Sequence, residues 1–255
     1  MFQLTLLFVA LLSMLCSGIY FYVGHVLMQR RSSTPDSRLA WRLFVTWWYA
    51  LAVATFFSAL LNLLGAFGIT NLALFVTITL MNLLATSVAL YGLMFYLLYV
   101  FTGNRKLLFP LSAFYVLYYA LLVYYVQASV PAEVTIERWR TVIEYQNQIR
   151  GPFFLLLLLL LVFPQIIGSL AYFMLYFRVE VVTQKYRILL VSWSIIIWFL
   201  SAFLASISGL GQYDWWQIVS RLIGLGAALS ILFAYQPPAW VKQRFRVASV
   251  AEENV

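Results

Sequence analysis

The sequence predicts an all-α membrane protein, a bundle of seven transmembrane helices. Of the 255 residues, 64% are hydrophobic and 9% are charged, whereas soluble domains carry about 25% charged residues. A fold with so few charged groups cannot present a mostly polar surface to water, so lipid is expected to be its main solvent. Long apolar runs and the placement of the basic residues support the same fold class.

Seven runs are long enough to cross a bilayer, which takes about 20 mostly apolar residues. They comprise residues 3–28, 40–66, 71–101, 107–127, 152–177, 188–209 and 215–236. The runs are too long and too evenly apolar for strands of a transmembrane barrel, whereas a helix satisfies its own backbone hydrogen bonds in lipid. We therefore expect residues 1–240 to form one membrane domain and residues 241–255 a short cytoplasmic tail, basic and then acidic.

The lysines and arginines predict the orientation, because short cytoplasmic loops are enriched in both. Twelve of the 16 follow the first, third, fifth and seventh runs: Arg30, Arg31, Arg38, Arg42, Arg105, Lys106, Arg178, Lys185, Arg187, Lys242, Arg244 and Arg246. The N-terminus is therefore expected outside and the C-terminus in the cytoplasm, in the cell (plasma or inner) membrane. Topology also explains the net charge of +8, so nucleic-acid binding is not predicted.

The stretch EVTIERWRTVIEYQNQIR lies between the fourth and fifth runs and is the largest predicted segment outside the membrane. Ile136, Trp139 and Ile143 recur in it at spacings of three and four, which is typical of a short amphipathic helix at a membrane surface. Two interpretations stay open for this helix: an interfacial connector, or a lid over a pocket.

Catalysis, metal binding and retinal binding are not expected. The chain has a single histidine, His25, and a single cysteine, Cys16, so a metal site would lack companions. Retinal attaches to a lysine in the last helix, and the run WWQIVSRLIGLGAALSILFAYQ contains none. No apolar run supplies paired carboxylates for acid–base chemistry. The prediction is a protein that is not an enzyme and has no cofactor.

Arg221 is the one charge that falls well inside a run. A charged residue in a membrane span is costly unless it is paired, so it marks a functional site by default. One alternative is a structural anchor that pairs with Asp214 or Glu144. The other is a cation that faces a pocket and holds the carboxylate or phosphate of a ligand.

The predicted ligand-binding set consists of polar or aromatic residues inside the runs: Arg221, Gln217, Gln165, Asn82 and Tyr91. The alternative for the uncharged members is packing, since polar side chains commonly join membrane helices through hydrogen bonds. Gly168, Gly224 and Ala228 are small enough to allow such close approach.

Pro164 precedes Gln165 in the fifth run and is expected to kink that helix, because proline cannot donate the backbone hydrogen bond. A Pro-Gln pair also occurs in seven-helix PQ-loop carriers. Those proteins carry a second pair in the first helix, where this chain has no proline.

Two stretches carry a family resemblance. LYGLMFYLLYVFTGNRKLL is an aromatic-rich helix closed by Thr-Gly and a basic turn, and FAYQPPAWVKQRF places two prolines, a tryptophan and a basic cluster after the last run. Both resemble the seven-transmembrane N-terminal sensor region of bacterial and archaeal histidine kinases, over residues 1–246. The resemblance implies a sensor module. Because no kinase part follows Trp240 here, a stand-alone sensor is expected.

The expected function is that of a receptor-like protein, which senses an unknown lipophilic or membrane-borne signal and relays it to a separate partner. The predicted partner-facing residues are basic and lie after the third and seventh runs: Arg105, Lys106, Lys242, Arg244 and Arg246. A structural or assembly subunit of a membrane complex is the alternative, and a small-solute transporter is a third. Polar residues that converge on a central cavity would favour the receptor, and polar residues on lipid-facing surfaces would favour the subunit.

Overall fold

The computed structural model describes the backbone of residues 3–29, 35–146, 152–207 and 214–243, and the side chains of most of them. Within these residues the α-helices are α1 Leu4–Met28, α2 Pro35–Ala66, α3 Leu72–Thr102, α4 Leu108–Ala128, α5 Pro152–Met174, α6 Val182–Ile207 and α7 Asp214–Tyr235. Strands β1 (Pro131–Ile136) and β2 (Thr141–Tyr145) lie between α4 and α5. Each predicted run corresponds to one helix.

The protein is a helical membrane protein. Five helical segments are long and apolar enough to cross a membrane: Leu4–Met28, Arg38–Ala66, Leu72–Thr102, Arg105–Ala128 and Trp215–Gln243. The described part of the fifth helix adds a shorter apolar segment, Phe163–Phe177. The helical class follows from the length of these runs, because an uninterrupted apolar segment in lipid must pair its backbone groups internally.

The helices pack side by side in a ring. Helix α1 contacts α2 and α7, α2 contacts α3, α3 contacts α5, and α6 joins α5 to α7. Helix α4 packs against α3, and much of its surface, including Phe109, Val116 and Leu117, is exposed. A membrane protein leaves such apolar surface to lipid.

Large aromatic side chains fill the space between α2 and α3. Phe44, Trp47 and Trp48 are almost completely buried, and the Phe44 ring lies 4.5 Å from that of Tyr96. The helices approach closely at Gly92, where an added Cβ would lie 2.5 Å from the backbone oxygen of Leu43. Gly168 and Gly224 are also tight, as expected from their small size, but against side chains: an added Cβ would lie 3.0 Å from Leu97 Cδ1 and 2.1 Å from the Tyr20 hydroxyl oxygen.

The predicted amphipathic helix between the fourth and fifth runs is wrong, because this segment forms a β-hairpin. Strands β1 and β2 are antiparallel, with Val134 opposite Ile143 and Ile136 opposite Thr141. An ion pair of 2.5 Å between Arg140 and Glu137 spans the turn. The strands are rich in β-branched residues, which favour a pleated, half-buried surface. That preference outweighs the helical spacing of three apolar residues.

The hairpin packs on one end of the bundle. Thr5 donates a hydrogen bond of 2.6 Å to the backbone oxygen of Arg138, and the backbone nitrogen of Thr141 donates one of 3.0 Å to Asn62 Oδ1. The hairpin thereby joins the start of α1 to the end of α2. We call this the hairpin end of the bundle.

Gly65 makes room for the hairpin, and a substitution there is expected to loosen it. In Gly65→Ala the new Cβ would lie 2.1 Å from Thr141 Oγ1, and such overpacking costs about 1–3 kcal/mol. The Thr141 hydroxyl is buried and has no hydrogen-bond partner among the described residues. Thr141→Ala should therefore be nearly neutral alone and should restore much of the stability of Gly65→Ala. Thermal unfolding in detergent measures all three variants; an additive loss in the double variant would contradict the contact.

Candidate functional site

A cavity of about 650 Å³ lies inside the bundle among α1, α2, α3, α6 and α7. Its lining residues are Ser13, Cys16, Tyr20, Leu51, Ala54, Thr55, Ser58, Asn82, Thr86, Trp198, Ser201, Trp216, Gln217, Ser220 and Arg221. Three of the five residues in the predicted ligand-binding set, Arg221, Gln217 and Asn82, are thus brought together. The volume falls within the usual range for small-molecule sites, about 300–1,000 Å³.

Arg221 joins α7 to α1 at this cavity. Its Nε donates a hydrogen bond of 2.5 Å to Ser13 Oγ. Its Nη1 donates to the backbone oxygen of Gln217 and, at 3.1 Å, to Gln217 Oε1. The spacing of four places Gln217 one turn before Arg221 on the same helix face. The guanidinium is therefore held on one side by its own helix and on the other by α1.

The second terminal nitrogen of Arg221, Nη2, donates to none of the described residues. A guanidinium carries five N–H donors and never loses its charge in proteins. Two of those donors therefore have no acceptor among the described residues, in a side chain that lines the cavity. Arg221 therefore offers both positive charge and unused donors to whatever enters.

A carboxylate counter-ion for Arg221 is missing among the described side chains. Glu144, one of the two predicted anchors, instead accepts a hydrogen bond of 2.7 Å from Thr135 in the hairpin. The side chain of Asp214, the other, lies outside the described residues. Among the described residues only neutral oxygens bind this charge, and they compensate it less well than a carboxylate would.

Asn82 lies on the wall formed by α2 and α3. Its Nδ2 donates a hydrogen bond of 3.0 Å to Ser58 Oγ, and Thr86 donates one of 2.9 Å to its backbone oxygen. The amide therefore joins α2 to α3 and also lines the cavity. The packing alternative and the ligand-binding alternative are compatible at this residue.

Aromatic side chains close the remaining walls. Trp216 is only 6% exposed, and its indole N–H has no hydrogen-bond partner among the described residues. The Tyr20 hydroxyl fits against Gly224, where an added Cβ would lie 2.1 Å from it. Gly224 thus leaves the space that the Tyr20 side chain occupies at the wall of the cavity.

Gln165 and Tyr91 lie away from this cavity. Gln165 is fully buried, and its Nε2 donates hydrogen bonds of 3.0 Å to Tyr115 Oη and of 3.4 Å to the backbone oxygen of Leu90. Tyr91 accepts a hydrogen bond of 3.1 Å from Ser112 and lines a smaller cleft of about 250 Å³ between α3 and α4. Both residues join neighbouring helices.

Sequence reasoning missed the contribution of α1. Ser13, Cys16 and Tyr20 all line the cavity, and Cys16 Sγ lies 3.7 Å from the backbone oxygen of Arg221. Their spacings of three and four place them on one helix face. Small and polar residues recurring at that spacing in an otherwise leucine-rich helix were the signal that could have identified this face.

The predicted partner-facing residues that the structure describes lie at the opposite end from the hairpin. Arg105 and Lys106 follow α3 in a short 3₁₀ turn, Arg105–Leu107, and Lys242 follows α7. The rings of Tyr235 and Trp41, at the end of α7 and near the start of α2, lie 5.3 Å apart at this end. Arg244 and Arg246 lie outside the described residues.

Among the side chains that the structure describes, no group of three or more His, Cys, Asp and Glu residues could hold a metal ion. Comparison of the chain with protein-family models, with curated proteins and with solved structures finds no match. The function is therefore argued from the cavity itself.

Proposed function

We propose that this protein is a receptor-like membrane protein of seven transmembrane helices, which binds a lipophilic or membrane-borne ligand in the cavity and relays its presence to a separate partner. In this proposal all seven helices cross the cell membrane. The hairpin end faces outside, and the basic residues after α3 and α7 face the cytoplasm, in agreement with the enrichment of Lys and Arg in cytoplasmic loops.

The observation that supports the proposal is the convergence of polar side chains on one internal cavity. Arg221, Ser13 and Gln217 form one polar wall, and Asn82 and Ser58 form another. The alternative, a structural subunit without a ligand, would be favoured by polar groups on lipid-facing surfaces. Most exposed side chains of α4 are instead apolar, as at Phe109 and Val116, and Gln127 near its end is a polar exception.

Helix α7 supplies a route for the relay. It carries Arg221 at the cavity and Tyr235 at the far end of the bundle, fourteen positions later. At a rise of 1.5 Å per residue these positions are about 21 Å apart along one helix. A ligand that moves α7 at Arg221 would also disturb the contact between Tyr235 and Trp41. The basic residues next to that contact would face the partner.

Native mass spectrometry of gently extracted protein tests the proposal. The wild type is expected to carry a small-molecule mass that Arg221→Leu loses and that Tyr91→Phe, at the separate cleft, retains. Arg221→Lys keeps the charge and should retain part of the bound mass, which separates a lost contact from a lost fold. A stoichiometric protein partner on the wild type, with no small molecule, would favour the subunit.

A further inference from the structure

We propose that the ligand of the cavity is a singly charged anionic amphiphile whose oxyanion accepts hydrogen bonds from Arg221 Nη2. This inference rests on the proposed function, because it names the ligand class for the same cavity. It is carried by the charge balance of the described cavity residues, by the unused donors of Arg221 and by the apolar part of the lining.

The charge balance favours a monoanion. Arg221 is the one charged residue among those that line the cavity, and no described carboxylate pairs with it. A charge removed from water is stabilised by an opposite charge that also forms hydrogen bonds. With respect to the described residues, a neutral ligand would leave the guanidinium without a counter-ion, and a dianion would exceed its single positive charge.

The unused donors favour an oxyanion. Nε and Nη1 are occupied by Ser13 and Gln217, so an incoming group meets Nη2. Charge-assisted hydrogen bonds from arginine to carboxylate or phosphate oxygens are about twice as strong as bonds between neutral groups. Carboxylate and phosphate share this chemistry, and the experiment below separates them.

The apolar part of a lining that is otherwise polar favours an amphiphile over a small inorganic anion. Leu51, Ala54, Tyr20 and Trp198 line the cavity, and its volume of about 650 Å³ far exceeds that of a single oxyanion. Burying a hydrocarbon chain against such walls gains about 0.8 kcal/mol for each CH₂ group. The charged head is therefore expected at Arg221 and the chain along the aromatic and aliphatic walls.

Cys16 provides a native reporter for this test. It is the one cysteine of the chain, it lines the cavity, and its sulfur lies 3.7 Å from the backbone oxygen of Arg221. Two methanethiosulfonate reagents, one with an anionic sulfonatoethyl group and one with a cationic trimethylammonium-ethyl group, both react with the thiolate. Both rates depend on the same fraction of thiolate, so this fraction drops out of their ratio. The ratio therefore reports the sign of the charge near Cys16.

The rates are to be measured on protein in phosphatidylcholine nanodiscs, each relative to the same reagent with free cysteine. We expect the anionic reagent to be favoured by about tenfold or more, as for a guanidinium several ångströms away in a medium of effective dielectric constant near 20. Arg221→Lys should keep this preference and Arg221→Leu should remove it. Equal relative rates in the wild type would overturn the inference.

Competition identifies the ligand class. Decanoate, decyl methyl phosphate (a phosphodiester with one negative charge) and decanol, each below its micellar concentration, are added before the reagents. Protection of Cys16 by decanoate supports a carboxylate, protection by decyl methyl phosphate alone supports a phosphate, and equal protection by decanol would overturn the requirement for an anion.

The melting temperature gives a second reading if Cys16 reacts slowly. Decanoate or decyl methyl phosphate should raise it in the wild type and not in Arg221→Leu, and the absence of a shift with both would overturn the inference. A neutral small-molecule mass in the native spectrum would refute the anion and leave the receptor proposal standing. A bare wild-type spectrum, with no protection by any compound, would refute both.

Discussion

Arg221→Leu is expected to abolish binding of the anionic ligand and to leave the ligand-free protein at least as stable as the wild type. Truncating one partner of a buried charge pair costs about 2–5 kcal/mol of binding free energy, so affinity should fall at least about 30-fold. Stability should behave differently, because a partly buried charge without a counter-ion among the described residues is itself unfavourable, and an apolar replacement is often neutral or favourable. Ser13 keeps its hydrogen bond of 2.8 Å to the backbone oxygen of Val9.

This pair of expected results separates the two interpretations of Arg221. If Arg221 is a binding residue, Arg221→Leu loses ligand affinity while its ligand-free melting temperature stays unchanged or rises. Such a trade-off between stability and activity is common at functional sites. If Arg221 is a structural anchor, the melting temperature of Arg221→Leu should fall by several degrees whether or not ligand is present. Asn82→Ala is the matched control, because it breaks the hydrogen bond to Ser58 and should lower the melting temperature. Scanning calorimetry of ligand-free protein and equilibrium binding of the identified compound provide the two readings.

Gly92→Ala is expected to cause the largest loss of stability among alanine substitutions at the described glycines. Its Cβ would lie 2.5 Å from the backbone oxygen of Leu43 and 3.3 Å from the backbone nitrogen of Trp47. Backbone atoms cannot swing aside as a side chain can, so α2 and α3 must separate. We expect a cost of about 3 kcal/mol, at the upper end of the usual range for overpacking.

Gly226→Ala is the matched control for Gly92→Ala. An added Cβ at Gly226 meets no atom within 4 Å, and alanine is favoured over glycine within a helix by about 0.5–1 kcal/mol. The melting temperature should therefore stay unchanged or rise. If the two variants had the same melting temperature, the close approach of α2 and α3 at Gly92 would be refuted.

The helices were predictable from the sequence because the bilayer imposes a length. A run such as residues 71–101 is too long for a strand and too apolar for water, and it becomes helix α3, Leu72–Thr102. The hairpin was not predictable in the same way. The spacings of Ile136, Trp139 and Ile143 cover barely two helical turns, and β-branched neighbours decide so short a segment.

The cavity was predictable only in part. Arg221, Gln217 and Asn82 stand out because polar groups are rare inside membrane spans, and the structure places all three around one cavity. Gln165 stands out for the same reason but binds Tyr115 of α4 instead. A single sequence shows which residues are unusual, whereas helix adjacency decides which of them meet. That adjacency also brings Ser13 of α1 to Arg221.

If α7 transmits ligand binding from the cavity to the far end of the bundle, the ligand's binding free energy limits how far it can shift the conformational equilibrium. A ligand shifts a conformational equilibrium only by its difference in affinity for the two arrangements, and moving a population from 1:99 to 99:1 takes a difference of about 5.5 kcal/mol. In the proposed complex the contact with Arg221, at about 2–5 kcal/mol, could supply much of this difference, and burial of the ligand's chain would have to supply the rest. The size of the population shift would then depend on how much the contacts of Arg221 differ between the ligand-bound and the ligand-free arrangement of the helices.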